Sequence, residues 1–261
     1  MISRFFVSVA AFWFLELFLI CVVIMVGRRT EKITFAPWLD VAVSVLTWIP
    51  WVVAGLLAGL TGVLGCLAGQ FGAMQTFCFW HWLRSGHRGP SICGTLNRMV
   101  GPGANNFGLI ATLPALPGFL LIRFSELTTY PILVRTIKLP PYKHSEWVSV
   151  SRQKFNGLVG HDLVWCLYCD WMTGIYSLGG EMLRNLESFW CPIRFYPDKK
   201  CDNCTLDFPD IPHWVPASAT MQDVADKLVE KYEGRKWNSW WSHPERKADA
   251  GGTPPNLSSG K

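Results

Sequence analysis

Residues 5–26 read FFVSVAAFWFLELFLICVVIMV, apolar throughout except for Ser8 and Glu16. At about 1.5 Å per helical residue, such a run crosses a hydrocarbon core of roughly 30 Å. A cleaved leader has a shorter apolar core that ends in small residues. This one continues into Gly27-Arg28-Arg29 and reads as an anchor. An ionisable group in mid-span is costly and marks a functional position by default. Glu16 is therefore a candidate for an ion or proton path, or for pairing with a polar group elsewhere.

Outward from this span, residues 37–83 form a second apolar block, too long for one crossing. It suits two spans, 38–59 and 63–83, with a tight turn near Gly59–Gly62. Pro50 kinks the first of them, which membrane helices tolerate. Gly55/Gly59 and Gly65/Gly69 have the four-residue spacing that lets helix backbones approach closely in lipid. Residues 84–106 are rich in Gly, Pro and Asn and read as a loop. Residues 107–122 are apolar again but carry Pro114 and Pro117, which favours a re-entrant or interfacial segment over a clean span. Of 19 acidic residues, only Glu16, Glu31 and Asp40 precede residue 107. That asymmetry means lipid first and water second. Fourteen Trp fit interfacial belts, with Trp38, Trp80 and Trp82 near span ends.

Basic residues set the expected orientation. Arg28, Arg29 and Lys32 follow the first span, and Arg84, Arg88 and Arg98 follow the third. This places the N-terminus outside and the chain after residue 83 inside, and everything beyond 107–122 is also inside if that segment does not cross. Arg123, Arg135, Lys138 and Lys143 agree. Residues 123–234 then form a Cys-rich cytoplasmic domain. Within it, TYPILVRTIKL (129–139) favours strand or extended chain, and 155–187 reads as an apolar helix. Residues 220–233 give an amphipathic helix capped by Thr220 and Asp223, with Met221, Val224, Ala225, Leu228 and Tyr232 on one face. Asp162, Asp170, Glu181 and Glu187 read mainly as solvated helix charges. Residues 235–261 read as a disordered tail with a Trp cluster, WNSWW (237–241). The expected fold class is an all-α integral membrane protein with about three transmembrane helices, a re-entrant or interfacial segment and a small Cys-rich cytoplasmic domain.

Nine cysteines are present. Cys21, Cys66 and Cys78 lie in apolar spans and behave as small hydrophobes. Cys93 stands alone in the 84–106 loop. Cys166/Cys169 and Cys201/Cys204 are Cys-x-x-Cys pairs, and Cys191 lies between them. A two-residue gap lets both sulfurs reach one ion, and Lys199 and Lys200 favour thiolate. A tetrahedral zinc site takes four N or S ligands, often as two such pairs. Cys201, Cys204, Cys166, Cys169 and Cys191 are accordingly the candidate metal ligands, with His161 and His213 in reserve. An iron–sulfur cluster would use the same thiolates. A cytoplasmic face favours reduced thiols and metal over disulfides.

The basic residues form no dense block, so nucleic acid is not an expected partner. No Walker loop, dinucleotide fingerprint or HExxH motif is present. The expected partners are the lipid bilayer and other membrane subunits, in a homo- or hetero-oligomer. The expected role is an accessory or structural subunit of a membrane complex with a metal-stapled cysteine domain. The alternatives are a redox or electron-transfer protein, and a small transporter or membrane enzyme using Glu16 or Asp170. A bacterial inner membrane is the expected location.

Overall fold

The computed structural model describes residues 2–86, 89–155, 157–196, 198–204 and 211–233. Among them the chain is helical with no strand. Two isolated bridges occur, Phe35 with Ser149 and Ile193 with Val215. Three helical runs are long and apolar enough to cross a membrane: Ile2–Arg29, Trp38–Ser85 and Pro102–Thr136. The expected WNSWW tail and Arg88 lie outside the described residues. The chain divides into two compact units, one holding residues up to 116 with 143–175, the other holding 117–142 and 176 onward.

In the first unit, α1 (Ile2–Arg29) is 28 residues of continuous helix. A short 3-10 turn leads to α2 (Trp38–Leu46), and α3 covers Trp48–Ser85. The backbone leaves the helical region at Thr47 (φ −124°, ψ −90°), between α2 and α3. Pro50, with no N–H to donate, sits just beyond. Within α3, Ala58 and Gly59 are also non-helical, Gly59 at φ 59°, ψ −149°. That region is open to glycine and strained for other residues. The chain doubles back there. Trp51 Nε1 donates to Gln70 Oε1 at 2.6 Å, a pair that a straight helix would hold roughly 28 Å apart. A Cβ on Gly55 would touch Val63 at 3.4 Å, so the two limbs pack closely just beyond the turn.

The second limb of α3 runs alongside α1 in the same direction. Gly65 lies against Ser8, and Gly69 against Val9 and Trp13. Trp13 Nε1 donates to Thr76 Oγ1 at 3.2 Å. Close backbone approach along this glycine seam supplies the packing, as in the small-residue seams of membrane helices. Large side chains elsewhere on these helices stay exposed, Leu56 at 82% and Leu60 at 75%.

The segment expected as a loop at 84–106 instead forms α4 (Ile92–Val100) and the start of α5 (Pro102–Thr112). The residues taken for loop formers act as helix punctuation. Ser91 caps α4 by accepting from Gly94 N; Gly101 separates the helices at φ 89°; Pro102 occupies the first turn of α5, where its missing N–H costs nothing. The expected break at Pro114 and Pro117 is a single 3-10 turn, Leu113–Ala115, followed by α6 (Leu116–Thr136). The β-favouring stretch 129–139 is helical as far as Thr136. Propensity is a weak prior that tertiary context overrides.

The rest of the first unit includes α7 (His144–Trp147) and the first half of α8 (His161–Trp190). Asp162 is a buried cap rather than a solvated charge: its carboxylate accepts from Ile92 N at 2.7 Å and Cys93 N at 3.0 Å, fixing the start of α4. Asp170 accepts from Ser151 N at 2.7 Å and steadies the turn that follows. Both carboxylates satisfy backbone donors at helix starts.

In the second unit, α6 and the second half of α8 are joined by α9 (Asp198–Cys204) and α10 (Met221–Tyr232). Thr220 and Asp223 form a reciprocal capping box at the start of α10. The buried positions of α10 are Val224 and Lys231, whereas Met221 is exposed. Its inner face is therefore rotated from the expected one. The missing signal was Lys231, a long aliphatic stem that the apolar count omits.

Candidate functional site

Two groups of buried polar side chains stand out, one in each unit. In the first, Glu16 is 6% exposed. Its partner is Gln70 on α3, whose Nε2 lies 3.5 Å from Glu16 Oε2. The same amide nitrogen donates to Leu46 O and Thr47 O, each at 3.2 Å. Those carbonyls are released by the break between α2 and α3. Gln70 also accepts from Trp51. One side chain thus ties α1 and both limbs of the hairpin together. Unsatisfied backbone groups are costly away from water, which explains why a glutamine sits here.

This arrangement makes Glu16 a structural partner of Gln70, and it separates the two residues by experiment. Glu16→Gln keeps a hydrogen-bonding group and should leave folding unchanged. Gln70→Leu orphans two carbonyls and an indole N–H, and should cost about 2–3 kcal/mol. Thermal unfolding of both variants in detergent checks this. Equal losses in the two would contradict it.

In the second unit the seam is charged. Arg123 Nη1 and Glu126 Oε2 on α6 pair at 2.6 Å, both buried. On α8, Glu181 pairs with Arg184 and accepts from Tyr142 Oη at 2.7 Å. Asn185 donates to Tyr142 and, at 3.3 Å, to Tyr130 Oη. Lys231 of α10, 1% exposed, donates to the Ser188 carbonyl at 2.9 Å and to its hydroxyl. Residues 181, 184, 185 and 188 recur at helical spacing, so they line one face of α8. Gly179 lets α6 approach: a Cβ there would meet Ile122 at 2.9 Å. Arg123, expected at a wet flank, is instead inside this seam. Glu181, expected as a solvated charge, is buried too.

Glu187 sits at the edge of the seam. Burial pushes its carboxyl above the usual range, and the Lys200 ammonium draws it partly back. An acid whose folded value is raised adds stability below its unfolded value and loses it as pH rises through the folded one. Glu187→Gln should therefore unfold with wild type near pH 4 and above it near pH 8. Melting temperatures at the two pH values check the sign.

The candidate metal ligands fall in both units. All nine cysteines are free thiols. Cys166 and Cys169 belong to the first unit, and Cys191, Cys201 and Cys204 to the second. Cys201 and Cys204 lie one turn apart on α9, packed with Phe195, Ile211 and Trp214. The Cys201 thiol donates to Phe195 O at 3.4 Å. Lys200 lies 3.9 Å from the centre of the Phe195 ring, a cation–π contact. Among the described residues, no three of His, Cys, Asp and Glu converge in a metal-holding group. His161 is engaged with Gln75 at 2.6 Å.

Comparison with protein-family models, curated proteins and solved structures returns no match.

The sequence signals missed were opposite charges three residues apart, Arg123/Glu126 and Glu181/Arg184. That spacing is also common on wet helix faces. Only packing distinguishes the two cases.

Proposed function

We propose that the protein is a membrane-embedded, non-catalytic subunit of a larger assembly. The observation that carries this reading is the 102–136 run. It has span length and hydropathy, yet only 6% of its most apolar window is buried within the chain. An apolar helix of that kind needs lipid or another helix around it. The glycine seam between α1 and α3 supports the same reading, because it is the packing mode of helices in lipid.

The test is extraction and sizing of the full chain. It should resist alkaline carbonate and migrate, in mild detergent, well above its 29.5 kDa monomer. Release by carbonate would sink the membrane placement. A monodisperse monomer in several mild detergents would sink the assembly.

The zinc staple is a narrower proposal within this reading. Its support is the placement of Cys201 and Cys204 on successive turns of α9. A complete tetrahedral site there draws its remaining ligands from beyond the groups described above. Equimolar zinc lost on Cys204→Ser supports it. Metal-free protein in which both thiols are alkylated without unfolding removes it.

A further inference from the structure

The first unit holds a cavity of ≈ 610 Å³ among the ends of α1 and α3 and the start of α8. This size lies within the range of ligand sites. Its lining is of two kinds. Ile24, Phe77, Leu163 and Leu167 give it apolar wall, and Arg28, Arg84 and Lys154 bring three cations to it. Glu31 is the carboxylate in the lining, and it pairs with Lys154 at 3.5 Å. Three cations against one anion leave the cavity positive.

The two arginines are placed by the fold. Arg28 is in the last turn of α1 and Arg84 in the last turn of α3. Because α1 and the second limb of α3 run in the same direction, both apolar runs end, and both arginines appear, at one level. Neither arginine has a carboxylate partner among the described residues. Arg84 lies over the Trp80 ring at 5.3 Å, which holds its guanidinium in place. His81, also in the lining, accepts from Gly160 N on Nδ1 at 3.3 Å. Its proton therefore sits on Nε2, available as a further donor.

An anionic group is needed to match this charge, and an apolar chain to match the wall. We propose that the cavity binds the phosphate-bearing headgroup of an anionic phospholipid, with Arg28, Arg84 and Lys154 as cationic contacts and acyl chain against Phe77, Leu163 and Leu167. Basic pockets between helices at a membrane surface take such headgroups. Guanidinium groups suit them because a planar fork matches two phosphate oxygens. The inference rests on the membrane placement proposed above.

The experiment uses full-length protein in nanodiscs of phosphatidylcholine with a minor fraction of phosphatidylglycerol. Native mass spectrometry after release counts retained lipid. Wild type should keep one phosphatidylglycerol in preference to phosphatidylcholine. The double variant R28Q/R84Q should lose that preference by about twenty-five-fold, since each basic side chain near an anionic surface contributes about fivefold. The control R29Q/K32Q removes two neighbouring charges that do not line the cavity, and should keep it. Equal loss in the control would mean diffuse surface charge and overturn the site. So would retention indifferent to headgroup charge. Displacement of the lipid by millimolar inorganic phosphate would overturn the lipid assignment and point to a free phosphate. Protein that fails to enter nanodiscs at all would instead overturn the membrane placement. Circular dichroism on each variant confirms that the helices are intact.

Discussion

Gly69→Val should prevent α1 from seating on α3. A Cβ at residue 69 would stand 2.8 Å from Val9 O and 2.9 Å from Trp13 N, both backbone atoms. Backbone cannot rotate away as a side chain can, so the helices must separate. Overpacking typically costs about 1–3 kcal/mol, and a backbone clash at a crossing point belongs at the upper end. Separation also pulls Glu16 from Gln70, adding loss from the polar node. Gly108→Val is the control, because a Cβ there meets nothing within 4 Å. Melting in detergent should fall sharply for the first variant and hardly move for the second. If both melt like wild type, the glycine seam is not what joins these helices.

Arg184→Ala should be as damaging in the second unit. It strips the partner from Glu181, which is buried on the face of α8 shared with Asn185 and Ser188. Removing one member of a buried pair costs about 3–5 kcal/mol, because the other charge loses its counter-charge in low dielectric. Removing both is different. Glu181→Leu with Arg184→Met restores most of the loss, since well-packed apolar groups replace the pair without desolvating charge. The residual cost is the hydroxyl of Tyr142, which loses its acceptor. A double-mutant cycle on thermal stability measures the coupling directly. Additive losses would show that the two side chains do not act as a pair.

The helical class and the membrane-length runs were legible because they depend on long apolar stretches, a signal that survives in sequence alone. The run 5–26 needed no tertiary information to read as a helix. Gly65 and Gly69 were legible as a packing face, but not which helix they would meet. That depends on the break at Thr47 and the reversal at Gly59 together. The 84–106 segment was misread because Ser91, Gly101 and Pro102 look alike as loop formers and as helix punctuation. The polar seams were hardest. Glu16 announced itself, yet Gln70 did not, because a neutral glutamine in a span has no fixed signature. Glu181 looked wet because burial of a charge is decided by neighbours far away in the chain. The Cys-x-x-Cys spacing, in contrast, spoke loudly and located one turn of α9. Spacing reports local geometry and says nothing of what else comes near.

The shared direction of α1 and the second limb of α3 has a consequence for how the chain is made. On the proposed membrane placement, α1 leaves the ribosome and enters lipid before α3. Its docking surface, Gly65 to Gly72, and the amide of Gln70 are synthesised some forty residues later. During that interval Glu16 has no Gln70 to meet. A nascent chain that stalls before residue 70 therefore displays an unsatisfied carboxyl within the bilayer, and completion of the hairpin conceals it.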